Sequence, residues 1–208
     1  MSDAASFVDR LEHFVGTGGV LHVAADGRML PASAGDTTLP KALLPGSFNP
    51  VHRGHWELAK VAAEILRTPV AFELSVVNVD KPALCVADVR RRLAPFKGQA
   101  SVWLTHAARF VDKADQFPGA TFIVGADTAL RIVQPRYYDD DASHMIAALT
   151  LLRDRGCRIL IACRTDAQGK CWKASELPIP FGFRDIFMEI PESRYRWDIS
   201  STQMRSQG

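Results

Sequence analysis

The sequence predicts an α/β domain built on a mostly parallel, doubly wound sheet, with a short N-terminal helix and hairpin ahead of it. Three observations carry this. From Lys41 onward, short apolar runs alternate with amphipathic stretches, the pattern of strands joined by crossover helices. The apolar runs are nearly continuous, as expected of strands covered on both faces. Turn residues punctuate the junctions, among them Gly46, Pro50, Pro82 and Gly156.

Taken in order, residues 6–15 place Phe7, Val8, Leu11, Phe14 and Val15 at helical spacing, and Gly16, Gly18 and Gly19 close that helix. In "VLHVAADGRMLPA", Asp26 and Gly27 lie between two short apolar segments, which predicts a hairpin. Residues 1–40 therefore form an appendage to a domain spanning 41–208. Strands are expected at 42–44, 71–77, 102–105, 121–124, 158–163 and 187–190. Helices are expected at 55–67, 86–96, 107–116 and 144–155, with Gly156 at the last helix's C-terminal stop.

Composition narrows the partners. The 208 residues are 47% hydrophobic, enough for one substantial core, and 25 basic against 23 acidic residues leave a net charge of +2. That balance lacks the basic excess of a nucleic-acid or membrane-surface binder, so small-molecule partners are expected. The opening "MSDAASFVDRLEHF" mixes charges where a signal peptide needs an apolar run, and no membrane-spanning run follows, so a cytoplasmic location is expected. Cys85, Cys157, Cys163 and Cys171 contain no C-x-x-C pair and read as small core residues rather than metal ligands.

Open sheets of this type bind ligands beyond the carboxyl ends of their strands, so the residues following each strand are the candidate site. After the first strand of the domain comes "PGSFNPVHRGHWELAK". Gly46 lets backbone approach a ligand, Pro50 stiffens the turn, and the following helix start suits phosphate. His52 and His55 lie there, as phosphate donors or as a helix cap and a solvated side chain. After the second strand, Lys81 in "VVNVDKP" suits a phosphate or solvent equally. Arg90, Arg91 and Arg92 cannot share one helical face, so one or two at most reach a site. Gly125 and Asp127 in "FIVGADTALRI" suit a sugar, Asp127 alternatively being a helix N-cap. Arg164 follows the fifth strand, placed for a phosphate or as the first exposed residue of a hairpin. In "WDISSTQMR", Ser200, Ser201 and Thr202 present hydroxyls at a helix start with Arg205 one turn on, a second anion cradle or an ordinary cap. Trp103, Phe110, Trp172 and Trp197 are candidates to stack on a base, or core residues.

Together these segments resemble the nucleotidylyltransferase superfamily, and within it the nicotinate or nicotinamide mononucleotide adenylyltransferases. "GSFNPVHRGH" is similar to a G-x-F-x-P-x-H-x-G-H signature, "VGADTAL" to a G-A-D segment and "ISSTQMR" to I-S-S-T-x-x-R. The resemblance implies a Rossmann-like domain that transfers AMP from ATP to a small phosphate-bearing acceptor and releases pyrophosphate. It implies that His52 and His55 stabilise the triphosphate at its α-phosphate and that Gly46, Ser47 and Phe48 supply backbone contacts. It implies that Asp127 binds the ribose and that Ser200, Ser201, Thr202 and Arg205 hold the β- and γ-phosphates; beside these, Gly125 and Arg164 are nucleotide-binding candidates and Lys81 and Trp103 acceptor candidates, although the loop after the second strand does not match the family's acceptor segment. Mg²⁺ would be carried by the triphosphate and water. Pantetheine-phosphate adenylyltransferases and small cytidylyltransferases share this logic, so the acceptor, the choice of ATP or CTP, turnover itself and homo-oligomerisation stay open at this point.

Overall fold

The computed structural model describes residues 2–32, 39–79, 82–162 and 174–195, with side chains excepted at 2–6 and 31. The chain opens with α1 (Ser2–Thr17) and the hairpin strands β1 (Val20–Val23) and β2 (Met29–Ala32). It continues through β3 (Ala42–Pro45), α2 (Arg53–Leu66), β4 (Ala71–Ser75), α3 (Val86–Leu93), β5 (Val102–Thr105) and α4 (Phe110–Gln116). After these come β6 (Thr121–Gly125), α5 (Ala126–Ile132), α6 (Ala142–Asp154), β7 (Arg158–Ala162) and β8 (Phe187–Ile190).

All eight strands join one sheet in the order β2-β1-β5-β4-β3-β6-β7-β8. The strands from β3 to β8 pair in parallel, and only the hairpin pairs antiparallel. The chain starts its parallel part in the middle at β3, winds outward through β4 and β5, then crosses back to β6 beside β3. This is a Rossmann-like α/β fold, and its strand order reverses between β3 and β6, where such folds open a ligand crevice.

The continuous apolar runs explain the two-sided burial. Along β3, Leu43 packs into one core layer with Ala114 of α4, Ala129 of α5 and Leu149 of α6. Its neighbours Ala42 and Leu44 face the opposite layer with Leu11 of α1, Leu58 of α2 and Val89 of α3. Adjacent residues of a strand point to opposite faces, so helices are required on both.

Helix limits follow local chemistry. α4 begins at Phe110 rather than 107 because the Asp112 carboxylate accepts the Arg109 amide at 3.1 Å, while the Thr105 hydroxyl accepts the Ala107 amide at 3.3 Å. α6 begins earlier than expected because Asp141 caps it, accepting the Ser143 amide at 2.7 Å. α3 ends at Leu93, and Pro95 lies in a 3-10 turn over Ala94–Phe96. Cys157 is a core residue as expected; Cys85 is exposed at the N-cap of α3, its thiol donating to Asp88 at 3.4 Å. Cys163 and Cys171 lie outside the described residues. Among the described residues no helix is long and apolar enough to cross a membrane.

The N-terminal segment is integrated rather than appended. β1 pairs with β5 along its whole length, and Leu11 and Phe14 of α1 are buried in the layer that also holds α2 and α3. A two-stranded hairpin is marginal alone, and this one gains stability by extending a sheet. His22 of β1 stacks on Trp103 of β5, with ring centres 4.5 Å apart. Burial pushes the His22 pKa below its ordinary 6.5, partly opposed by Asp26. The unfolded chain therefore takes up this proton first as pH falls, so stability present above about pH 6.5 declines on acidification. The melting temperature should fall between about pH 7.5 and pH 5 by less in His22→Phe than in the parent protein, as differential scanning fluorimetry would register.

Candidate active site

The loop after β3 is held from three sides. The Gly46 amide donates to the Glu73 carbonyl of β4 at 2.9 Å. Phe48 adopts φ 42°, a left-handed conformation costing about 1–3 kcal/mol for a residue with a side chain. Its ring is buried among Phe72, Phe96 and His55, with centres 5.6, 5.3 and 5.2 Å away, and full burial of such a ring contributes about 1.5–3 kcal/mol. The two magnitudes are comparable, so the packing offsets the strain. A Cβ at position 46 would lie 2.5 Å from Phe48 Cε1, so Gly46 is required by the ring folded against it, a reason absent from the sequence reading. On the outer side, Arg92 Nη1 donates to the Ser47 carbonyl at 2.7 Å and Arg91 Nη1 to Asn49 Oδ1 at 2.6 Å. Two of the three consecutive arginines thus brace the loop, and Arg90 is exposed.

The loop delivers both histidines to the start of α2. His52 is the N-cap residue, in extended conformation, and its backbone amide donates to His55 Nδ1 at 3.2 Å. An Nδ1 that accepts carries no hydrogen, so neutral His55 holds its proton on Nε2. The rings of His52 and His55 lie 3.9 Å apart, and both line the cleft. A position at the helix cap and a position on the cleft lining, alternatives in the sequence, coexist in one arrangement.

The cleft has a volume of about 750 Å³ and opens at the carboxyl ends of the central strands, beside the β3/β6 reversal. Gly46, Ser47, His52 and His55 line one wall, and Gly125, Thr128 and Arg131 another. Tyr195 also lines it and donates its hydroxyl to the Gly54 carbonyl at 3.0 Å, which ties the chain following β8 to the first turn of α2. The S-S-T-x-x-R segment begins five residues beyond that anchor, at Ser200.

A family model described as cytidylyltransferase-like matches residues 43–207. The chain belongs to the cytidylyltransferase-like family. Nucleotidyl transfer from a nucleoside triphosphate is the general activity of that family within the nucleotidylyltransferase superfamily. Comparison with curated proteins finds no match.

In this cytidylyltransferase-like chain, a buried polar network forms part of the cleft lining. Lys113 of α4 and Glu73 of β4 meet at 2.7 Å, with 5% and 1% of their side chains exposed. The Thr105 hydroxyl donates to Glu73 Oε1 at 2.5 Å, and Lys113 Nζ donates to the Ala107 carbonyl at 2.8 Å. Among the described residues Glu73 Oε2 has no hydrogen-bond partner. Nearby, Arg109 is paired with Asp112, which holds the guanidinium pKa above its ordinary value. Burial raises the Tyr138 phenol, partly opposed by Arg109, so Tyr138 is neutral at physiological pH and donates to the Ile132 carbonyl at 2.9 Å.

The cleft brings Gly46, Ser47, His52, His55 and Gly125 together, with Phe48 beneath as support. Asp127 is exposed in the first turn of α5; the N-cap there is Gly125, and Thr128 and Arg131 are the α5 residues lining the cleft. Trp103 does not reach the cleft as an acceptor stacker: it is 4% exposed between His22 and Phe117, because its strand position points into the core. Phe110 does line the cleft. Lys81, Arg164, Trp172, Trp197, Ser200, Ser201, Thr202 and Arg205 lie outside the described residues. Sequence reasoning missed Glu73, Lys113, Arg109 and Tyr195. A lone carboxylate inside the apolar run "VAFELSVV" was the available signal for Glu73, since a strand covered on both faces must pair any charge it carries.

Gly46→Ala should destabilise the protein by about 1–3 kcal/mol in urea unfolding, the range for overpacking a filled space, because Phe48 must leave its site. A change within about 0.5 kcal/mol, typical of a surface substitution, would contradict the packing role assigned to Gly46.

Proposed function

We propose that this protein is an adenylyltransferase that transfers AMP from ATP to nicotinate or nicotinamide mononucleotide and releases pyrophosphate. The observation that carries the reading is the joined histidine pair at the strand-order reversal, with both residues lining the cleft. A phosphate oxygen of the acceptor attacks the α-phosphorus, the bond to the bridging oxygen breaks, and the electron pair leaves with pyrophosphate. Such a displacement needs alignment and charge stabilisation more than a protein nucleophile. His55 Nε2–H and His52 stabilise the charge developing on the α-phosphate, and the backbone of Gly46 and Ser47 positions it. In this reading Gly125 and Asp127 serve the nucleoside, while Arg164, Ser200, Ser201, Thr202 and Arg205 hold phosphates. Lys81 meets the acceptor's phosphate.

Imidazoles and amides are poor magnesium ligands, and among the described residues no group of three His, Cys, Asp or Glu side chains converges. In this reading Mg²⁺ would be carried by triphosphate oxygens and water, where it would neutralise charge. The family's description supports a second reading, with CTP as donor.

Incubation with Mg²⁺, ATP and either mononucleotide should release pyrophosphate only when the acceptor is present. Release with CTP in place of ATP would select the second reading, and release with no combination would overturn both. His55→Ala should lower kcat by about 10²–10³, the cost of losing one transition-state donor, with ATP affinity changed far less. An unchanged kcat would remove His55 from the mechanism.

A further inference from the structure

We propose that Arg92 is a positioning residue for the triphosphate, latching the peptide between Ser47 and Phe48 in the orientation that engages the Ser47 carbonyl and withholds it from the anion. The inference rests on the nucleotidyl-transfer reading above for the anion, and on the loop's geometry alone for the latch.

The starting point is the left-handed conformation of Phe48, φ 42°, in the loop that carries both histidines. It has a less strained alternative. Turning the 47–48 peptide plane by about 180° changes ψ of Ser47 and φ of Phe48 in opposite senses, which moves Phe48 into the broad extended region open to any residue. Both Cα atoms stay in place during such a flip, so the Phe48 ring keeps its position among Phe72, Phe96 and His55. The buried ring therefore fixes the residue but not the plane of the peptide before it.

Arg92 fixes the plane. From α3 its Nη1 donates to the Ser47 carbonyl at 2.7 Å, and the guanidinium charge makes this stronger than a neutral hydrogen bond. The carbonyl and the Phe48 amide point in opposite directions from one rigid peptide, so holding the first sets the second. Among the described residues no hydrogen bond holds the Phe48 amide. Arg91, the neighbouring brace, reaches the Asn49 side chain rather than this backbone, and Arg90 is exposed.

The latch acts on a wall of the cleft. Ser47 is exposed and lines the cleft with Gly46, His52 and His55, and half-buried Arg92 lines it too. Engaged by a guanidinium, the carbonyl oxygen has its partial negative charge offset. Released by a flip, the same oxygen sets that charge on the wall where the phosphates bind in the proposed reaction. A protein that populates the flipped form binds the nucleotide with an affinity reduced by the fraction that stays latched.

Two measurements on the full chain test this. The first is the three-bond coupling between the amide and α protons of Phe48, which reports φ, read by NMR without ligand. Carbonyl-labelled serine with nitrogen-labelled phenylalanine selects its signal, since only Ser6 and Ser47 precede a phenylalanine. In Arg92→Ala the coupling should move from the left-handed value to the extended one. The second is calorimetry with Mg²⁺ and non-hydrolysable analogues of ATP and CTP. Affinity for the analogue that the parent protein binds should fall in Arg92→Ala by about 5–150-fold, the population change that relief of such backbone strain produces. Arg90→Ala removes the same charge from the same helix and should leave affinity near the parent's. In turnover, KM for the nucleotide should rise in Arg92→Ala by a larger factor than kcat falls. A merely structural role lowers the folded fraction, so kcat falls and KM stays. That pattern, an unchanged coupling, or equal affinity losses in Arg90→Ala and Arg92→Ala would overturn the inference. Binding of neither analogue by the parent protein would instead overturn the nucleotidyl-transfer reading, and the coupling would still decide whether Arg92 sets the peptide plane. Should Arg92→Ala fail to fold, Arg92→Met, which keeps the packing of the stem and removes the donor, carries the same expectations.

Discussion

The ring of Phe48 fills the space where a side chain at position 46 would begin, and the loop carrying both histidines depends on that contact. Everything at the site follows from the loop's path. The chain leaves β3, reverses through a left-handed residue and enters α2 with His52 as its cap. Without a buried anchor the strained residue would relax and the helix start would shift. With it, a short peptide becomes a fixed platform, as a reaction governed by alignment requires. Arg91 and Arg92 of α3 add an outer brace, so the platform is wedged between an apolar cluster and two guanidinium groups.

A second constraint is the buried charge pair. A carboxylate and an ammonium removed from water contribute little net stability beyond what apolar residues of similar size would give. The pair lies at the cleft lining and joins the Thr105 hydroxyl and the Ala107 carbonyl in one network that ties β4 to α4. Around β3 the loop and histidines lie at the strand's end, the buried pair reaches from the β4 side, and Gly125 ends the strand on the β6 side.

The sheet was legible because apolar runs must be covered on both faces, and all six runs after Lys41 became parallel strands near their expected limits. Helix starts were less so, since they depend on which side chain caps: Asp112 and Asp141 moved two of them. The place of the histidines and Gly125 on the cleft lining was legible because glycine and histidine at strand ends are local signals. Glu73 and Lys113 were not, because their pairing spans 40 residues and exists only once α4 packs on β4. Trp103 misled for the converse reason: an aromatic near a strand end looks the same whether it faces ligand or core. The N-terminal hairpin read as an appendage because its antiparallel partner, β5, lies some 80 residues along the chain.

Nucleotidyl transfer in this cleft, the activity proposed above, is tested by following the phosphorus atom. With ATP labelled at the α-phosphate and nicotinamide mononucleotide as acceptor, the label should appear in a dinucleotide product, while a γ-phosphate label should appear only in pyrophosphate. Transfer of the γ-label to the acceptor, or release of the α-label as free AMP whether or not acceptor is present, would contradict the account.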